Sequence, residues 1–246
     1  MSNLAVLATT TLYNNPNDVR AKLAVQTIQG AGRENLKIVV IDASTVPVKK
    51  TLRENGALLF DQVQPGMGPG RREAIKMAAE IAGADGIVVW LEPEKASLVP
   101  HIKKLTVPII ENEADLVIAE RVSMDSYPEM QRYAEFLGNR GFHLLTGRNL
   151  DVWSGVRIFR ADFAYFFVEY KGEHGDLWDS IFIPVLRMIK DGKRVVGVKV
   201  DYVHPSEQTA TEDNFQMYKK RITQLTTLVN ALEKEAIKLE LYHEPK

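Results

Sequence analysis

The chain has no cysteine. That excludes disulfides, thiolate catalysis and cysteine-held zinc or iron–sulfur centres; it fits a reducing compartment, and a cytoplasmic protein is expected. No basic N-terminal region precedes a long apolar run, so no signal peptide is expected. No apolar stretch approaches the roughly 20 residues that a membrane-spanning helix needs, which leaves only peripheral contact with a membrane surface open. Net charge is nearly missing as well, at -1 for 246 residues. No global field then draws the chain to nucleic acid or to an anionic membrane, although basic clusters stand at Arg71-Arg72 and Lys219-Lys220-Arg221. Internal repeats and low-complexity linkers are absent too.

What is present is an ordinary globular composition, 45% hydrophobic and 26% charged, in a chain long enough to bury a core without staples. The first half alternates short apolar runs with helical patterns. Strands are expected at residues 4–8, 36–41, 57–60, 86–91 and 116–119. Helices are expected from Asn17 or Asp18 to about 29, at 46–55 and at 70–82, the last entered through a glycine-rich loop. Such alternation implies right-handed crossovers and a mainly parallel central sheet flanked by helices, an α/β fold. In sheets of that kind ligands collect beyond the carboxyl ends of the strands. Three polar segments are expected at that edge: 9–15, 42–45 and 92–95.

The second half reads as a helix over 127–145, a strand at 156–159, a helix over 176–190, a strand over 194–202 and a long helix from about Asp213. On that last helix Phe215, Tyr218, Ile222, Leu225, Val229, Leu232, Ala236 and Leu239 step by three and four. The seam fits packing on the same domain, or a homodimer contact through paired helices. The expected division is a domain at 1–210 and a C-terminal helical extension at 211–246.

Four stretches carry candidate chemistry. QPGMGPGRREA places Gly66, Gly68 and Gly70 before a helix, where amides and Arg71 or Arg72 can meet phosphate oxygens; a flexible turn explains it as well. It is neither a dinucleotide fingerprint nor a Walker loop. In DAST, Asp42 can bind a nucleobase or ribose, or cap the next helix. In VVWLEPEK, Glu92 and Glu94 can share a hard divalent cation, or form a solvated turn balanced by Lys95. In VHPSEQ, His204 is a metal or phosphate ligand, or a loop residue.

Taken in order, these pieces resemble the GT-A glycosyltransferases over about residues 4–205. The nearest types are family 2 enzymes and the related synthases of mannosylglycerate and glucosyl-3-phosphoglycerate. LAVLATTTLYNN resembles the first strand and nucleotide-contacting loop, with Thr9 and Thr11. IVVIDAST resembles the second strand with its acidic turn, and GMGPGRREAI the glycine-rich loop. VVWLEPEK resembles the metal motif, with Glu-Pro-Glu in place of Asp-x-Asp. ADLVIAER, ending at Arg121, and LTGRNLDVWSGVRIFR, with Asp151, resemble acceptor-side segments. HGDLWD offers Asp176 or Asp179 as an acidic active-site residue, and KVDYVHPSEQ places His204 at a metal-binding histidine.

The resemblance implies the GT-A fold and transfer of a sugar from a nucleotide-diphosphate sugar to a hydroxyl acceptor. It further implies Mg²⁺ or Mn²⁺ held by Glu92, Glu94 and His204. Asp151, Asp176 and Asp179 compete for the role of base if the enzyme inverts; the histidine position leans toward retention. Two alternatives stand beside it. One is a nucleotide-sugar-binding module without catalysis, motivated by the Glu-Pro-Glu replacement. The other is a sugar-phosphate nucleotidyltransferase, ranked lower because ATTTLYNNPND lacks the glycine- and arginine-rich loop of that group.

Overall fold

The computed structural model describes residues 4–242. Among the described residues seven strands form one sheet in the order β3-β2-β1-β4-β6-β5-β7. They are β1 (Ala5–Thr11), β2 (Lys37–Asp42), β3 (Leu58–Asp61), β4 (Ile87–Trp90), β5 (Leu116–Arg121), β6 (Arg157–Arg160) and β7 (Val195–Val200). All pairings are parallel except those of β6, which runs antiparallel to both β4 and β5. The sheet is therefore mainly parallel, as the alternating pattern predicts.

Both faces of the sheet are covered, and the pleat explains why the central strands are apolar throughout. In β4, Val88 and Trp90 enter one core, while Ile87 and Val89 enter the other. The first core takes α3 (Met67–Ala82), α7 (Ile183–Lys190) and the C-terminal half of α9 (Phe215–Lys238). The second takes α1 (Val19–Arg33), α2 (Val46–Glu54) and α4 (Ile102–Ile110). The remaining helices are α5 (Glu129–Thr146), α6 (Tyr165–Val168) and α8 (Ser206–Glu212). Among the described residues no helix is long and apolar enough to cross a membrane.

Three expectations shift, each for a local reason. Thr9 to Thr11 belong to β1 rather than to a loop, because these β-branched residues continue the ladder against β2, up to Thr11 opposite Asp42. The helix expected from Gly70 begins at Met67, so Gly68 lies in its first turn rather than in a loop. The single helix expected over 176–190 is instead a 3-10 turn at Trp178–Ile181 followed by α7, with Asp176 in the left-handed region at φ 57° and Pro184 in the first turn of α7.

The seam of α9 divides in two. Leu225, Val229, Leu232, Ala236 and Leu239 pack on the first core. Phe215, Tyr218 and Ile222 stay exposed. Packing against α5 and α7 of the same chain accounts for the C-terminal half of the seam without a second copy.

Candidate functional site

The exits of β4 and β7 open into one cleft of about 220 Å³. β4 supplies Glu92, Glu94 and Lys95, and the segment after β7 supplies Tyr202 and His204. Arg20 reaches in from α1, Met67 and Arg71 from the start of α3, Gln131 and Glu135 from α5, and Ser154 from a 3-10 turn at Val152–Ser154. The outer wall is Gln208 and Glu212 of α8 with Lys220, Arg221 and Gln224 of α9. The helical extension expected from residue 211 onward thus contributes directly to the cleft.

Each carboxylate in this cleft has a cation. Arg20 Nε lies 2.7 Å from Glu94 Oε1, which also accepts from the Tyr13 hydroxyl at 2.8 Å. Lys95 Nζ is 3.4 Å from Glu92 Oε2. Arg121 pairs with Glu135 and Arg221 with Glu212, the latter at 3.1 Å. Burial works against the charge on Glu92, but Lys95, Arg71 and Arg157 outweigh it and hold the carboxyl below its ordinary range. A Cβ on Gly155, whose φ is +79°, would stand 2.4 Å from Glu92 Oε1, so the backbone there must stay bare for this carboxylate to fit.

The cations are less completely answered than the acids. Arg71 donates through Nη1 to Leu177 O at 2.9 Å and Ser180 Oγ at 3.1 Å, and lies 5.5 Å from the centre of the Trp90 ring. Its Nε is buried without a partner among the described residues. Burial pulls its pKa down to about 10, against Glu92, Asp179 and Asp176, so it remains charged at neutral pH. Lys95 rests 4.8 Å from the Tyr202 ring centre with its side chain 11% exposed.

His204 stacks on Tyr127 at 4.4 Å between ring centres. Burial, then Lys95, lowers its pKa to about 4, so the imidazole is neutral at physiological pH. Among the described residues its Nε2, the Tyr127 hydroxyl, Ser154 Oγ, Glu92 Oε2 and Arg71 Nε are all buried and find no hydrogen-bond partner. Buried polar groups without partners are costly, and five around one cleft mark where a polar ligand would complete the bonding.

The other expected site residues lie elsewhere. Arg121 and Asp151 lock together, with Nε and Nη2 each 2.7 Å from a carboxylate oxygen, and Asn139 donates to the same carboxylate at 2.7 Å. Asp151 lines a second groove with Glu120, His143 and Lys199. Burial favours its neutral form, but the bonds from Arg121 prevail and keep its pKa low. Asp176 is held by Arg72, with Nη2 2.7 Å from Oδ2, and its carbonyl accepts from the Gly68 amide at 3.0 Å. A Cβ on Gly68 would collide with Asp176 Oδ1, so this glycine serves a close approach of two segments. Asp179 accepts from Tyr170 and from the Leu177 amide, which makes it a turn anchor. Thr11 and Ser44 both donate to Asp42 Oδ1 at 2.5 Å, while Asp42 Oδ2 and Thr9 Oγ1 are buried without partners. Gly66 and Gly70 do not line the cleft; Arg71 does.

Glu92, Glu94 and His204 do meet in one cleft, but the donor set does not fit a divalent ion. Both carboxylates already face fixed cations, and among the described residues no three acidic, histidine or cysteine side chains form a group able to hold a metal. Sequence reasoning missed Arg20, Tyr127, Glu135 and Glu212 as cleft residues. The Lys219-Lys220-Arg221 run was the one visible signal for the outer wall.

Comparison with known proteins adds the fold. No protein-family model matches the chain, and no curated protein matches it by sequence. Among solved structures it is similar to glucosyl-3-phosphoglycerate synthase from Mycobacterium tuberculosis in complex with Mn²⁺, UDP-glucose and phosphoglyceric acid. That match has 14% identity and a TM-score of 0.59 over 94% of this chain and 80% of the other. Mannosyl-3-phosphoglycerate synthase from Rubrobacter xylanophilus gives 14% identity and a TM-score of 0.59 over 98% and 77%. TarS from S. aureus gives 15% identity and 0.53 over 94% and 65%.

Proposed function

We propose that this chain, which has the GT-A fold of those nucleotide-sugar enzymes, is a glycosyltransferase. It moves a sugar from a nucleotide-diphosphate sugar to a hydroxyl acceptor. The observation that supports this best is the cleft itself. It lies at the carboxyl ends of parallel strands, carries cations with spare donors, and holds five unpartnered buried polar atoms. A diphosphate and a sugar supply the anion and the hydroxyls that such a lining lacks.

In the reaction, the bond between the anomeric carbon and the diphosphate breaks with its electron pair remaining on the nucleoside diphosphate. The acceptor oxygen forms the new bond to carbon. Arg71 and Lys95 oppose the charge that builds on the leaving group. Because each cleft carboxylate is paired with a cation, none is placed as a free base. This favours retention, with the acceptor proton passing to an oxygen of the departing diphosphate. The neutral His204 and the Ser154 hydroxyl are left to position sugar or acceptor hydroxyls. No step requires a metal ion held by Glu92, Glu94 and His204, since that set does not fit one.

The same pairing supports a second reading, a module that binds nucleotide sugars without turning them over. A panel of UDP-, GDP-, ADP- and dTDP-sugars separates the two. Release of nucleoside diphosphate, accelerated by small hydroxyl acceptors, is expected for the transferase. Calorimetric binding with no release across the panel would favour the module, and neither binding nor release would remove both.

A further inference from the structure

The Glu-Pro-Glu turn carries its own counter-charge. Lys95 follows it directly, and its amide donates to Glu92 O at 3.3 Å, closing the turn that brings both side chains to the exit of β4. The stem is largely covered, the ammonium faces the Tyr202 ring, and its contact with Glu92 Oε2 is long at 3.4 Å. Among the described residues Lys95 Nζ makes no hydrogen bond. Three N–H donors on a compact point charge are therefore held in place and left free beside the cleft. Arg71 lines the same cleft, its charge helps keep the Glu92 carboxyl ionised, and among the described residues its Nε has no partner.

A carboxylate paired with an ammonium, in a cleft that a guanidinium also lines, is not a pocket for a cation. A further divalent ion at Glu92 would have to displace Lys95 or sit against its like charge. A diphosphate meets the opposite situation: two fixed positive groups, already desolvated, whose unused donors point to the need for acceptor oxygens. We propose that the cleft neutralises the diphosphate of its donor with Lys95 and Arg71 in the role that a divalent ion would otherwise fill. Glu92 then acts as the positioning residue for Lys95, while Leu177 O and Ser180 Oγ hold Arg71. The inference rests on the nucleotide-sugar reading of the cleft and deepens it.

The test is direct binding, measured by calorimetry, of UDP, GDP, ADP, CDP and dTDP to the full chain, first in excess EDTA and then in excess Mn²⁺. At least one nucleoside diphosphate is expected to bind in EDTA, with an affinity that Mn²⁺ changes by no more than about threefold, well inside what a charge-assisted contact is worth. Lys95→Met is expected to weaken that binding by about tenfold or more in both buffers, and Lys95→Arg to restore most of it. Binding that appears only with Mn²⁺ would overturn the proposal while leaving the nucleotide-sugar reading intact. Unchanged affinity in a folded Lys95→Met chain would do the same. If none of the five binds in either buffer, the nucleotide-sugar reading itself falls, and the proposal with it. The wild-type comparison needs no variant, so a misfolded substitution cannot hide the result.

Discussion

Two clusters of acids and bases lie close together in this molecule, and they differ in how completely they are satisfied. Around Arg121, the guanidinium meets Asp151 through both Nε and Nη2 and Glu135 through Nη1. Asn139 completes Asp151, Gln131 donates to Glu135 at 2.7 Å, and the Tyr127 ring lies under the charge at 4.9 Å. Around Lys95 the same kinds of groups leave Glu92 Oε2, Arg71 Nε, the Tyr127 hydroxyl and His204 Nε2 unpartnered. A closed network specifies and braces the fold. An open one costs stability and persists where a ligand completes it. The difference, rather than the presence of charge, is what separates scaffold from site.

The sharpest way to break the comparison is to cut the closed cluster. Arg121→Met removes the shared cation and leaves Asp151 and Glu135 facing each other in the interior. The expected loss is about 3–5 kcal/mol, as for other buried pairs deprived of one partner, read as a fall in the urea midpoint with an unchanged slope. A loss of well under 1 kcal/mol would mean that the network contributes little and that Asp151 is free for another role.

A smaller effect separates the clusters by pH. His204 has its pKa lowered from 6.5 to about 4, so the unfolded chain takes up a proton before the folded chain does. Its contribution is fully present above pH 6.5, declines as pH falls toward 4, and is then exhausted. Integrated over that window it amounts to roughly 3 kcal/mol. His204→Phe keeps a ring against Tyr127 and removes the titration. The expected outcome is a flatter stability profile between pH 4 and 6.5 in the variant than in the wild type. Parallel profiles would show that the imidazole is not withheld from protons in the folded state.

The closed cluster could not be read in the sequence, and the open one could be read in part. Arg121 and Asp151 were both singled out, but for acceptor chemistry; nothing in a separation of 30 residues shows that one neutralises the other. Glu92, Glu94 and His204 were visible because a polar or charged run follows an apolar strand, and strand exits of a parallel sheet are where sites form. Arg20, Tyr127 and Glu212 come from helices and connections with no local motif, and only the folded chain brings them to the cleft. Fold-level reading succeeded where periodicity was strong, as in the four apolar residues of β4 and the C-terminal half of the α9 seam. It failed where backbone geometry outweighed composition. The loop expected before Gly70 is helical from Met67, and Gly68 is small because Asp176 packs against it.

The smallest expected effect carries the comparison furthest, because it is a near-absence of change. Lys95→Met keeps a stem of similar length against Tyr202 and removes only the ammonium. That ammonium makes one ion contact, long at 3.4 Å, and no hydrogen bond among the described residues. Glu92 keeps Arg71 and Arg157 as neighbouring positive groups, so it is not abandoned as Asp151 is in the Arg121 variant. Stability is therefore expected to stay within about 1 kcal/mol of wild type, in the range of weakly coupled ion pairs, measured by the same urea midpoint. Two arginine or lysine deletions within one protein would then differ several-fold in cost because one cation is part of the scaffold and the other is held ready for a ligand. A loss for Lys95→Met comparable to that for Arg121→Met would place Lys95 in the scaffold as well, and the distinction between a closed and an open cluster would no longer describe this cleft.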